Sequence, residues 1–116
     1  MKDVLGRHLF NSQLVITCGI EEKLPDELIS ILWRIIKCFL ADSIAKREVD
    51  YLQVLDLSLG DNPGGLRVVH SQRRPSYSCS NTVYMSGKCD LAKLDGVRIF
   101  VIDDKTHVTM LLAEEY

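Results

Sequence analysis

Apolar positions in this chain follow two periods, one near 3.6 residues and one of 2, and the changes between them divide it into elements. The stretch "LVITC", Leu14 to Cys18, is β-branched and apolar and stops at Gly19, which predicts a short first strand. From Leu24 to Glu48, "LPDELISILWRIIKCFLADSIAKRE", the period lengthens. Leu28, Leu32, Ile35, Ile36 and Phe39 recur at helical spacing, Ile29, Trp33 and Leu40 widen the stripe, and Glu27, Ser30, Arg34, Lys37 and Asp42 lie opposite. Pro25 suits a first helical turn, Asp26 and Glu27 suit the positive end of the helix dipole, and Lys46 and Arg47 suit the other end. One long amphipathic helix follows.

Beyond it the period returns to 2. "DYLQVLDLSL" (Asp50 to Leu59) and "LRVVHSQ" (Leu66 to Gln72) flank "GDNPGG", so they predict a hairpin with a loop longer than the tightest kind. After Pro75, the residues Tyr77, Cys79, Val83 and Met85 alternate with Ser76, Ser78, Ser80 and Thr82, as in an edge strand with one wet face. Ser86, Gly87 and Lys88 read as a turn, and Cys89 to Gly96 as an irregular connection or a single helical turn. The last two runs, "VRIFVI" and "HVTMLLA", are nearly continuous in apolar residues, the mark of central strands covered on both faces. Between them "DDKT" carries Asp and Thr side chains that can bond their own backbone in a tight turn.

The predicted class is α+β: one long amphipathic helix packed on a twisted, largely antiparallel sheet of five to six strands. A single helix of about 20 residues spans roughly 30 Å and shields only one side of such a sheet. The other side is expected to be covered by self-association or by a protein partner.

Composition narrows this further. With 116 residues, 47% of them hydrophobic, the chain suits one globular domain, 1–116. Fourteen Lys and Arg against sixteen Asp and Glu leave a formal charge of −2, so net charge disfavours nucleic acid as a partner. Polar residues interrupt the first twenty positions, and Arg34 and Lys37 interrupt the apolar run from Leu28 to Ala41; no signal peptide and no membrane span are expected, and the location is expected to be cytoplasmic. Cys18, Cys38, Cys79 and Cys89 form no C-x-x-C pair, which favours free thiols.

Candidate chemistry is sparse. Asp103, Asp104 and His107, with His70 as the further imidazole, could hold a divalent metal for a metal-dependent enzyme, although their spacing is common in turns. Cys79 and Cys89 lack a recognised zinc spacing. No G-x-S-x-G elbow or Gly-rich phosphate loop is present, so no catalytic residue, cofactor or cofactor site is assigned. Arg73, Arg74 and Tyr77 could meet phosphates and a base, with Lys88, Lys93 and Arg98 adding charge if they cluster. Three readings result: a non-enzymatic protein-interaction or regulatory module, then a nucleic-acid-associated accessory protein, then a metal-dependent enzyme.

"VITCGIEEKLPDELISILWRII", "DYLQVLDLSL", "VVHSQRRPSY" and "IFVIDDKTHVTMLLAEEY" together resemble, in that order, a family of small proteins from Firmicutes, including staphylococci, catalogued as domain of unknown function 960. The resemblance covers most of the chain and is most specific in the closing stretch. It implies a bacterial cytoplasmic protein with a compact mixed α/β fold. The family carries no assigned catalytic or binding residue, so none is transferred. The chain departs from the family pattern chiefly in Ser78 to Gly96, which looks like an enlarged connection with its own two cysteines.

Overall fold

The computed structural model describes residues 10, 12–43, 48–87 and 89–116. Strand β1 (Gln13–Ile16) is shorter than the apolar run that predicted it, because Thr17 leaves the strand and caps a helix. Its hydroxyl oxygen accepts from the Ile20 N–H at 3.3 Å, satisfying a donor that the first helical turn would otherwise orphan. Cys18 therefore begins α1 (Cys18–Lys23) rather than ending a strand. The long helix α2 (Asp26–Ser43) starts where Pro25, Asp26 and Glu27 placed it, and the Ile29 N–H donates to the Pro25 carbonyl at 3.1 Å. Lys46, Arg47 and Lys88 lie outside the described residues.

The hairpin strands β2 (Leu52–Leu59) and β3 (Gly65–Gln72) are joined by the Gly60–Gly64 loop, in which Gly64 takes φ +80, a left-handed conformation that a Cβ would strain. Strand β4 (Tyr77–Tyr84) follows, then a 3₁₀ turn at Leu91–Leu94 within the irregular connection, then β5 (Arg98–Asp103) and β6 (His107–Leu112). The six strands lie in the order β1-β6-β5-β2-β3-β4. Neighbours are antiparallel except β1, which runs parallel to β6, so the sheet is mixed. The edge position expected of β4 and the central positions expected of β5 and β6 are both observed.

Strand register sorts the side chains onto two faces. Leu57, Leu55 and Gln53 of β2 align with Val68 and His70 of β3 and with Ile99 and Val101 of β5, and on to Met110 and Leu112 of β6. This face is buried together with Leu28, Leu32 and Ile36 of α2. Ile35 and Trp33, also on the predicted apolar stripe, are only partly buried at its margin. The ends of α2 fix its direction: Glu27 binds Ser86 just after β4, and Phe39 meets Tyr77 at the start of β4, so helix and strand run antiparallel.

The opposite face aligns Val15, Thr109, Ile102 and Leu52 in one row and Leu111, Phe100 and Val54 in the next. The core that α2 closes lies on the other face, and here a 3₁₀ turn at Ala113–Glu115 brings Tyr116 against Phe100. The expectation that β5 and β6 are covered on both faces is thus met by α2 on one side only; here Phe100, Ile102, Leu52 and Val54 are half-buried.

Candidate functional site

The acidic turn between β5 and β6 is built from its own hydrogen bonds. One Asp104 carboxylate oxygen accepts from the Thr106 N–H (2.9 Å), the Thr106 hydroxyl (2.7 Å) and the His107 N–H (2.7 Å). These bonds hold the Asp104 carboxyl at about 2, below its ordinary 3.8, the His107 N–H contributing most. Asp103 is buried; its carboxylate accepts from the Lys105 N–H at 2.8 Å and the Phe10 N–H at 3.1 Å, tying the turn to the segment before β1. Lys105 sits at φ +73, and its carbonyl accepts from the Ser12 hydroxyl at 3.0 Å. Both carboxylates are used by backbone donors in the manner of Asx turns.

His70, the remaining metal candidate, is elsewhere. It aligns through Leu55 with Ile99, so Asp103 lies four residues further along β5 and two strands away. Among the described residues, no three His, Cys, Asp or Glu side chains are grouped as a metal ion would require. His70 instead joins a buried amide network. Its Nε2 is 2.7 Å from the Gln53 Oε1, which as an acceptor assigns the proton to Nε2. Gln53 donates to the Gln72 Oε1 (2.8 Å) and the Asp50 carbonyl (2.9 Å), and Gln72 donates to the carbonyls of Glu48 and Pro75. Phe39 packs edge-on to the imidazole at 4.7 Å, and burial depresses its pKa from 6.5 to about 4. A groove of about 320 Å³ beside it, between α2 and β4, carries Cys38, Cys79 and Tyr77 in its walls.

The nucleic-acid candidates are split between the two faces. Tyr77 lies under α2, against Phe39. Arg73 and Arg74, in the turn after β3, come together with Arg98 of β5 around a second groove of about 380 Å³ on the open face. Lys93 lines a separate depression that also includes Arg98. The floor of the open-face groove is Leu52, Val54 and Phe100, with Tyr51 at its side. Arg98 is clamped by Asp56 at 2.7 and 3.3 Å, and the same hydrogen bond and charge raise its pKa. Arg73 and Arg74 are exposed, and among the described residues neither guanidinium has a carboxylate in ion-pair range. Tyr116 stands edge-on to Phe100, with centroids 5.5 Å apart at 87°. Its charge and its hydrogen bond raise the Tyr51 phenol above its ordinary 10; lost solvation and Asp50 add to this and Arg73 opposes it.

Residues 15–115 match the Staphylococcal protein of unknown function family, DUF960. The chain belongs to this family. It is also similar to a crystal structure of a protein of unknown function from Enterococcus faecalis, with a TM-score of 0.76 and 26% identity over 95% of this chain and 96% of that one. No curated protein matches it.

In this DUF960 chain the open-face groove depends on residues that sequence reasoning passed over, Tyr51 and Phe100 above all. Phe100 was legible only as one of four consecutive apolar residues; which face it takes is settled by register against Val54 and Leu111. Gln53 and Gln72 were passed over as well. Gln53 does share the alternate positions of Leu55 and Leu57, a period-2 signal that placed it inside despite its polarity.

Proposed function

We propose that this chain is a non-enzymatic protein-interaction or regulatory module that docks another protein chain on the sheet face opposite α2. One observation carries this reading. The two rows of Val15, Ile102, Leu52, Leu111, Phe100 and Val54 form an apolar centre over four adjacent strands on the face opposite α2, Leu111 buried and the other five half-buried. Around that centre stand Gln13, His107, Ser71 and the Arg98–Asp56 pair, so an apolar middle is ringed by polar groups, the usual anatomy of an interface. The polar groups under α2 and in the β5–β6 turn are spent on one another and on backbone, His70, Gln53 and Gln72 in an amide network and Asp103 and Asp104 on turn N–H groups, which favours docking over chemistry.

The test compares the wild-type chain with Phe100→Asp in affinity capture from native cytoplasm and in light scattering across concentration. The expected result is one protein, identified by mass spectrometry, that the wild type retains at high salt and the variant loses; a dimer lost in the variant identifies a second copy as the partner. A wild-type chain that is monodisperse and monomeric, binds no apolar dye and captures the same proteins as Phe100→Asp overturns the reading.

The convergence of Arg73, Arg74 and Arg98 favours a second reading, a nucleic-acid-associated accessory protein. It requires oligonucleotide binding that falls steeply with salt, since phosphate contacts act by releasing counterions.

A further inference from the structure

Resting on the protein-docking reading, the geometry points to an acidic peptide segment with an aromatic anchor as what the partner lays into the Tyr51–Phe100 groove.

The floor of the groove selects the anchor. Leu52, Val54 and Phe100 present apolar surface in a concavity of about 380 Å³, within the range of sites that enclose a small group. The chain shows what this surface accepts. Tyr116 seats its ring on Phe100 at 5.5 Å and nearly perpendicular, the arrangement that aromatic quadrupoles favour, and the preceding residues are Glu114 and Glu115. Glu115 itself is committed elsewhere, accepting from the Thr17 hydroxyl at 2.6 Å, so it leaves the arginines of the groove unmatched.

The rim selects the acid. The groove holds three guanidinium groups, and among the described residues only that of Arg98 is in an ion pair, with Asp56. Asp50, the carboxylate within the groove, faces backbone: it accepts from the Arg74 N–H at 3.1 Å and, at 3.5 Å, from the Leu52 N–H. Arg73 and Arg74 therefore offer two planar, multiply donating cations beside an aromatic floor, a combination that matches carboxylates flanking a ring. Two unpaired arginines on a chain of net charge −2 are too few for the several phosphate contacts that sustain nucleic-acid affinity, so peptide is favoured over oligonucleotide.

The experiment pans a random phage-displayed peptide library on the folded full chain, then measures the enriched peptides, synthesised with a fluorophore, by anisotropy. Expected is enrichment of Asp or Glu within two positions of Tyr, Phe or Trp, with Kd weakened at least tenfold by Arg73→Ala/Arg74→Ala and unchanged by Arg34→Ala on α2. Both arginine side chains are exposed, and an unchanged thermal midpoint for the double variant certifies its fold. No enrichment, enrichment without acids, indifference to Arg73→Ala/Arg74→Ala, or displacement of the peptide by a dT oligonucleotide each overturns the inference. The captured native partner separates this failure from the larger one. If Phe100→Asp loses that partner and the arginine double variant keeps it, the acidic segment is refuted and the docking face stands; if neither variant loses it, both fall.

Discussion

His70 is neutral in the folded chain because burial disfavours the imidazolium, and its Nε2–H is given to Gln53. A histidine whose pKa falls on folding adds stability above its unfolded pKa, and that stability drains as pH drops, because the unfolded chain takes up a proton that the folded one refuses. With 6.5 unfolded and about 4 folded, the loss begins near pH 6.5 and amounts to about 2 kcal/mol by pH 5. Denaturant midpoints measured from pH 7.5 to pH 5 should show this decline, and His70→Gln should flatten it. The carboxylates held by hydrogen bonds, Asp104, Glu27 and Glu115, have lowered pKa values and weaken the fold only at more acid pH. The "DDKT" turn was legible because Asp-rich tight turns explain themselves locally; that Asp103 also reaches the Phe10 N–H was not, since 93 residues separate them. Asp103→Ala leaves two backbone donors without their acceptor, one of them buried with its carboxylate, and should cost about 2–3 kcal/mol by urea unfolding.

At the scale of elements, the helix and the antiparallel hairpins were readable because their signals are local: a stripe of period 3.6 for α2, turn residues between alternating runs for β2 and β3. The parallel pairing of β1 with β6 was not, since it joins Gln13 to His107 across most of the chain and no turn encodes it. Nor was α1, where an N-cap threonine outweighed a β-branched run. Glu27 shows how one element holds another at long range. Its carboxylate accepts from the Ser86 N–H (3.0 Å), the Ser86 hydroxyl (2.8 Å) and the Gly87 N–H (3.4 Å), so the start of α2 pins the turn that follows β4. Those bonds lower the Glu27 pKa, the Ser86 hydroxyl first. Glu27→Ala should speed hydrogen exchange at the amides of Ser86 and Gly87, while Val68 in the middle of β3 keeps its protection; equal acceleration at all three would mean that the helix itself had loosened.

Across the whole molecule, the two faces of one sheet have unequal fates, and a pair of substitutions separates them. Leu32 on α2 is fully buried against the covered face, and its truncation to Ala opens a cavity that surrounding side chains fill only in part. A cost of about 3 kcal/mol or more is expected. Phe100 is equally apolar and sits on the interior strand β5, yet it faces away from α2 and is only half-buried, with Tyr116 as its ring neighbour. Its side chain already meets solvent, so Phe100→Ser should cost about 1–2 kcal/mol, because less surface is returned to water and no closed cavity forms. Sequence alone assigns both residues to the core, since an apolar run of four residues on β5 does not say which of its faces has a cover. Thermal unfolding of Leu32→Ala and Phe100→Ser side by side settles this. If the two lose equal stability, the second face is a closed core and a docking surface has no place on it; if Phe100→Ser keeps most of its stability and loses the captured partner, the half-buried phenylalanine serves association rather than folding.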